Sequence, residues 1–397
     1  MKMKFLPAVS IIAMSVSSAF AQNFEPAPYE LTDGFSIIPQ VTAGVRYDDN
    51  IYNDEFNSTS SSIYILKPSI KFGTDDGINR YGGLYELTSA TYSKGSEDNF
   101  LDHNIALLAH TEFSAKHRTD FKFGFANLHE DRGDGLTETN PNFFAEPLKY
   151  NALTARGYYQ YGGLTSLMRI GGGVAYGNKT YQNFVEQTKY SDSNGLRFFA
   201  DADYQVGDVT FLTFDLFSTD IQYDHLRVNS DSRDNVDSRA LIGLKWKGLG
   251  KTTGTMKAGY QYKTFDNDNR ESFSGNTANI GLAWKPVEYS TFNIHLNRDA
   301  EDSDTVGDYI EVLGASIGWD HNWTEKLNSS VQFIYSNEDY IGASRSDDTS
   351  NALFYVDYSF TRWLKVTAGY EFTTKDSTAA NISYDKNAAN IGVVVAL

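Results

Sequence analysis

No cysteine occurs in the 397 residues. That excludes a disulfide framework, an iron–sulfur centre and a thiol nucleophile. Basic residues are scarce: 34 Lys and Arg stand against 51 Asp and Glu, a formal charge of −17. Such a chain is a poor nucleic-acid binder, because phosphate contacts need a basic surface. Long hydrophobic runs are missing too. Past the N-terminus nothing approaches the ~20 apolar residues of a spanning helix. What is abundant is aromatic, with 26 Phe, 26 Tyr and 5 Trp. That is too many for a disordered chain.

Lys2 and Lys4 precede an apolar stretch, Phe5 to Val16, and Ala19-Phe20-Ala21 forms an A-x-A site before Gln22. This is the pattern of a secretory signal peptide covering residues 1–21. Its apolar run is too short for a membrane anchor. Cleavage removes two lysines and no acid, so the expected mature chain carries −19. Residues 22–34, with Pro26 and Pro28, read as a periplasmic linker. Residues 35–397 read as one domain.

Within that domain apolar and polar residues alternate. Val41, Ala43, Val45 and Tyr47 share one face, and Gln40, Thr42, Gly44 and Arg46 the other. Met256, Ala258, Tyr260 and Tyr262 oppose Lys257, Gly259, Gln261 and Lys263. A strand sends successive side chains to opposite sides, so each such segment has an apolar and a polar side. Eighteen segments of this kind can be read, with long polar connections alternating with short ones. The nine long ones fall near 48–60, 95–101, 130–147, 178–193, 223–237, 266–273, 299–308, 337–349 and 375–385. A spacing of about 21 residues implies long strands, as a tilted membrane-crossing strand requires. The expected fold is all-β: a transmembrane, antiparallel up-and-down barrel of about 18 strands. Its short turns face the periplasm and its long loops face outward.

Trp246, Trp284, Trp319, Trp323 and Trp363 all lie beside proposed short turns. Aromatic rings with a polar tip favour the membrane interface, which predicts a periplasmic aromatic girdle. The charges also sort by region. With the seventh counted from 298 and the ninth to 386, the nine long connections hold 31 acids and 10 bases, leaving the rest of the mature chain near +2. The inward faces carry Arg46, Lys67, Lys71, Lys122, Arg156, Arg169, Arg197, Arg239, Lys245, Lys257, Lys263 and Lys365, interleaved with Glu112, Asp201, Asp203, Asp215, Asp357 and Glu371. Charges of this kind are costly against lipid and tolerable in a wet lumen. Two readings stay open. The bases line a pore that selects anions, or bases and acids on neighbouring strands neutralise each other. The loop Asp131–Pro147 is large enough to fold into the mouth as a constriction or to remain external.

No catalytic constellation is present. His103, His110, His117, His129, His225, His295 and His321 are scattered, with no H-x-x-x-H, HExxH or G-x-S-x-G around them. Gly171-Gly172-Gly173 sits within a strand and opens no helix. Asp266-Asn-Asp268-Asn-Arg270 starts like a calcium loop, but Arg270 fills a ligand position. The reading is of a non-enzyme without cofactor or dedicated metal site.

Tyr47-Asp48-Asp49-Asn50, followed on the next strand by Lys67-Pro68-Ser69, resembles the start of the "putative β-barrel porin 2" family. Its members are outer-membrane barrels associated with exopolysaccharide or capsule synthesis. The resemblance implies passage of a surface polysaccharide, with periplasmic and inner-membrane synthesis and export proteins as partners, and supplies no catalytic residues. The chain ends in Leu397, whereas outer-membrane barrels commonly end in Phe. The expected location is the outer membrane of a Gram-negative bacterium, in contact with its lipid and lipopolysaccharide. Two alternatives accompany polysaccharide export: a general diffusion porin, and a scaffold or adhesin-like barrel working through its acidic loops.

Overall fold

A computed structural model describes residues 24–32 and 34–396. The signal-peptide reading, residues 1–21, lies outside them. The described chain is about 70% strand, with only one-turn helices in its loops. Its elements are β1 (Tyr29–Thr32), β2 (Phe35–Asp48), β3 (Ser61–Asp75), β4 (Arg80–Tyr92), β5 (Phe100–Ser114), β6 (His117–Glu130), β7 (Leu148–Tyr161), β8 (Met168–Tyr181) and β9 (Ser193–Gln205). They continue as β10 (Thr210–Tyr223), β11 (Asn235–Leu249), β12 (Thr252–Phe265), β13 (Phe273–Val287), β14 (Ser290–Asp302), β15 (Tyr309–Asn322), β16 (Leu327–Ile341), β17 (Arg345–Thr361), β18 (Leu364–Ser377) and β19 (Tyr384–Ala396).

Strands β2 to β19 pair antiparallel in chain order, and β19 returns to β2 through Val395↔Val41 and its neighbours. The sheet is thus a closed 18-strand barrel, with no open lateral edge along the wall. The β19–β2 ladder stops at Ala396↔Gln40, and β1 takes over the exposed edge below it through Tyr29↔Ile37. Four residues of the segment read as a linker therefore extend the seam.

The alternation now has a physical meaning. Val41, Val45, Tyr47, Met256, Tyr260, Tyr262, Tyr370 and Ile391 are exposed large side chains on the outer wall. Their neighbours Arg46, Lys257, Gln261 and Glu371 turn inward and are partly or fully covered. A charge facing lipid near mid-membrane costs ~2–4 kcal/mol for Arg or Lys, which outweighs any local propensity and fixes the parity of every strand.

The five tryptophans lie at the end of the barrel with the short connections. Trp284, Phe292 and Trp319 stack across β13, β14 and β15, at centroid separations of 5.3 and 6.2 Å. The indole N–H groups of Trp246, Trp319 and Trp323 donate to Thr252, Ser290 and Ser329, each at 2.8 Å. Satisfied N–H groups on rings that are half-buried (Trp246, Trp319) or exposed (Trp323) suit a lipid–water boundary.

One stretch departs from the expected map. Residues 337–349 read as a long loop, yet β16 and β17 continue through them to a three-residue turn at 342–344. Gly342, at φ +82°, supplies the left-handed residue that turn requires. Asp237, Asp299, Asp302, Glu338, Asp339, Asp347 and Asp348, assigned from sequence to outer loops, also stand on strands. Above the membrane both faces of a strand meet water or protein, so alternation fades while the ladder continues.

Candidate functional site

The lumen is the enclosed space the fold creates. All twelve residues singled out as pore-facing, Arg46, Lys67, Lys71, Arg156, Arg169, Arg197, Asp201, Arg239, Lys245, Lys257, Lys365 and Glu371, lie on inward registers of their strands. The structure divides them by partner. Arg46 binds Glu371 at 2.8 Å, Lys67 binds Glu86 at 2.9 Å, and Lys365 binds Asp357 at 3.3 Å. Asp203 is shared by Arg169 (3.4 Å) and Lys245 (2.7 Å), while Lys257 pairs with Asp215. Arg239 is held by Asp237 and Asp299 at 2.9 and 3.3 Å. Asp201 accepts the Tyr158 hydroxyl at 3.0 Å.

Other inward cations have no carboxylate partner among the described residues: Lys71, Lys122, Arg156 and Arg197. Arg156 lies 5.0 and 4.6 Å from the Tyr158 and Phe199 ring centroids. Arg197 sits 4.8 Å over Phe217 and donates to Thr219 Oγ1 at 2.7 Å. Rings hold these guanidinium groups in place without cancelling their charge. Lys122 stands directly opposite Arg156 on the β6–β7 ladder. The unneutralised positive charge thus concentrates on the β3–β9 side.

The outer mouth is narrowed by two devices that the sequence left unread or open. The first is the 131–147 connection. Arg132 roots it on neighbouring loops, forking onto Asp98 at 2.6 and 2.7 Å and donating to the Tyr52 hydroxyl at 2.6 Å. The Asp98 hydrogen bonds raise the Arg132 pKa still further. Gly133, at φ +92°, passes so close to Tyr52 that a Cβ would meet its carbonyl oxygen at 1.8 Å. No side chain fits there, and the left-handed backbone disfavours one. The strap then crosses the mouth, and Glu138 takes Arg345 of β17 at 2.5 and 2.8 Å. From β7 to β17 is ten strands one way round the ring and eight the other, so the contact joins nearly opposite walls. Arg345 also binds Asp347 at 2.6 Å, and Lys375 binds Asp347 at 2.9 Å.

The second device is the β14–β15 hairpin. The β13–β14 ladder ends at Ala278↔Arg298, whereas β14 and β15 stay paired up to Asp302↔Tyr309. Above Arg298 the hairpin leaves β13 and leans over the inner face of β12. Gln261, fully buried, pairs with both backbone groups of Ala300: its amide donates to Ala300 O at 2.7 Å, and Ala300 N–H donates to Gln261 Oε1 at 2.8 Å. Lys263, 1 % exposed, reaches Asp302 at 2.5 Å and Asn235 at 2.6 Å. Phe265, Phe273, Ala300 and Tyr309 form an apolar cluster behind the displaced segment.

Between strap and hairpin lies a vestibule of about 810 Å³, lined by seven of the nine outer connections and their flanks. At the strap's root, Asp134 accepts from Asn53 at 2.8 Å. Its carboxyl, still open to solvent, is pushed upward by the protein crowded around the loop root and then by the charge of Asp131, with Glu130 adding to it. Asp131 stays below the usual carboxylate range: burial raises it, but the His129 hydrogen bond and charge prevail. The Asp134 carboxylate is therefore destabilised in the folded loop relative to the free chain. Protonation favours the folded strap, and rising pH weakens it. Spin labels on the strap will report a more ordered loop at pH 5 than at pH 8, and Asp134→Asn will flatten that dependence. An unchanged profile in the variant would remove Asp134 as its source.

A closed 18-strand barrel with an aromatic belt, a polar lumen and inward-folded outer elements defines an outer-membrane protein of porin-like architecture. The family model described as "Putative beta-barrel porin 2" matches residues 31–397, and the chain belongs to that family. Among solved structures, OccK2 (OpdF) of Pseudomonas aeruginosa aligns with a TM-score of 0.50 at 10% identity, covering 91% of this chain and 98% of that one. A BenF-like porin from Pseudomonas fluorescens Pf-5 gives 0.50 at 13% identity, covering 91% and 99%. The FrpB iron transporter of Neisseria meningitidis gives 0.47 at 10%, and the chain spans 62% of its length. At these identities the likeness is one of fold. A comparison with curated proteins finds no match.

Proposed function

We propose that the barrel is a diffusion channel for small hydrophilic solutes with a preference for anions. The observation that carries this reading is the fixed mouth. The Arg132-rooted strap, anchored on the far wall by Glu138 and Arg345, leaves a vestibule of about 810 Å³. That lies within the ~300–1,000 Å³ range of small-molecule sites. A polysaccharide would have to thread past a strap tied at both ends, and family membership by itself names no cargo. This favours the general-porin alternative over polymer export. The resident partners are then lipid and lipopolysaccharide around the belts, with no synthesis or export machinery required.

The anion preference rests on Lys71, Lys122, Arg156 and Arg197, whose charge no described carboxylate cancels. Arg46, Arg169 and Lys257 are paired and contribute less to the field. In planar bilayers the purified protein is expected to conduct, with a reversal potential on the anion side. Replacing the four unpaired cations by Gln will lower the anion-to-cation permeability ratio several-fold. The matching set Arg46, Arg169 and Lys257 will move it less. A silent barrel would sink the channel reading, and equal shifts from both sets would sink the assignment of selectivity to unpaired charge.

A further inference from the structure

We propose that the external vestibule is a recognition site for a hexuronate, a ring-shaped sugar acid, taken as the free monosaccharide. The proposal rests on the channel reading and names the solute class that enters.

Two guanidinium groups of the β10–β11 connection meet at Tyr190. Arg227 lies 5.0 Å over the Tyr190 ring, and Arg233 donates to the Tyr190 carbonyl at 2.7 Å while stacking 3.9 Å over Tyr223. Neither has a carboxylate partner among the described residues, and both line the vestibule. Four other lining charges are already engaged. Arg270 bonds to Asp308 and the Gly307 carbonyl, and Arg345 to Glu138 and Asp347. Asp231 accepts from Asn267 and Asn269, and Asp234 from the Tyr223 backbone N–H. The vestibule thus presents two stacked guanidinium groups at one place on its wall whose charge no described carboxylate cancels: Arg227, and Arg233 with one N–H of each terminal nitrogen spent on the Tyr190 and Ser303 carbonyls. A carboxylate matches a guanidinium fork geometrically, and stacking on tyrosine fixes the plane of the fork.

The remaining chemistry selects for a ring bearing hydroxyls. A bare ion needs little more than the ~30 Å³ share of a water molecule, and the vestibule is far larger. Asp304 follows Ser303, whose carbonyl accepts from Arg233 at 3.2 Å, so it can accept a sugar hydroxyl near the arginines. Leu226, Val306 and Ile382 supply apolar wall for the C–H face of a ring. Carboxylate, hydroxyls and an apolar ring face together describe a sugar acid.

Calorimetry on the full-length, detergent-folded protein tests this with glucuronate, glucose and acetate as probes. Glucuronate is expected to bind saturably and at least tenfold more tightly than either control. Arg227→Gln is an exposed-loop substitution that leaves the barrel ladder untouched, and it will weaken glucuronate binding tenfold or more. Tyr190→Leu will weaken it as well. Equal binding of glucose and glucuronate, or an unchanged affinity in R227Q, overturns the proposal. Tighter binding of an oligogalacturonate than of the monomer overturns the free-monosaccharide assignment. Calorimetry does not depend on conduction. A conducting barrel that binds no glucuronate loses this site alone, and a silent barrel that binds it loses only the channel reading.

Discussion

Replacing Glu138 by Gln will raise the single-channel conductance several-fold and admit larger sugars in liposome-swelling assays. Glu138 and Asp347 balance Arg345 and Lys375 at the point where the strap meets the far wall. Arg345 is 6 % exposed and Asp347 fully covered, so water replaces little of what is lost. Arg345 keeps Asp347, which it shares with Lys375, so the loss is that of charged hydrogen bonds, ~1.5–3 kcal/mol, rather than of a whole buried pair. Each ~1.4 kcal/mol is tenfold in an equilibrium, so the strap's open population would rise roughly ten- to a hundredfold. The barrel itself should keep its melting temperature, since no wall ladder uses this pair. Its root supplies a control: Arg132 binds Asp98 and Tyr52 on its own side of the mouth. Arg132→Met will loosen the same strap from the other end. Unchanged conductance in both variants would show that the strap does not set the passage.

Much of the wall was legible in the sequence for one reason. Lipid on one side and water on the other impose a two-residue period on every strand that crosses. Val45 and Tyr47 against Arg46 is the smallest example. The same reason explains the misreading of 337–349. Where β16 and β17 rise above the membrane, Asn337, Asp339 and Asp348 face water on a ladder that still pairs Asn337↔Asp348. The chemical period vanishes there and the backbone period does not.

Parity also placed the lumen charges, but not their partnerships. The partner of Arg46 is Glu371, 325 residues away. The partner of Lys257 is Asp215, on the strand beyond its neighbour β11. Such pairs depend on which strands stand together around the ring and on side chains long enough to reach past one of them. Neither is written in a local window. The strap contact between Glu138 and Arg345 spans 207 residues and joins opposite walls, so loop length could leave it only as one of two options. The acidity of the outer region changes meaning for the same reason. Asp98, Glu138, Asp299 and Asp347 hold arginines and a lysine in place rather than presenting a bare negative rim.

Gln261 carries the second large effect. Its amide stands in for a missing strand, giving Ala300 both a donor and an acceptor where β14 has left β13. In Gln261→Leu the volume is nearly kept and both bonds are lost. Arg239 still donates to the Ala300 carbonyl at 3.4 Å, so the backbone N–H is the orphan. A buried unsatisfied donor costs ~1–3 kcal/mol, and the hairpin is left with Lys263 and Asn235 on Asp302 and Arg239 on Asp299. The favourable response is for the hairpin tip to swing back toward β13, whose Phe273–Thr277 edge has no ladder to β14. Hydrogen exchange at 299–308 will accelerate ~10- to 100-fold, with exchange in β2–β9 unaltered. The upper lumen will widen, and conductance will rise with it. Accelerated exchange without a rise in conductance would make the hairpin a structural fold-back that lies outside the conducting path. Unchanged exchange would mean that the Phe265–Phe273–Tyr309 cluster and the Lys263, Asn235 and Arg239 contacts hold the hairpin inward without Gln261.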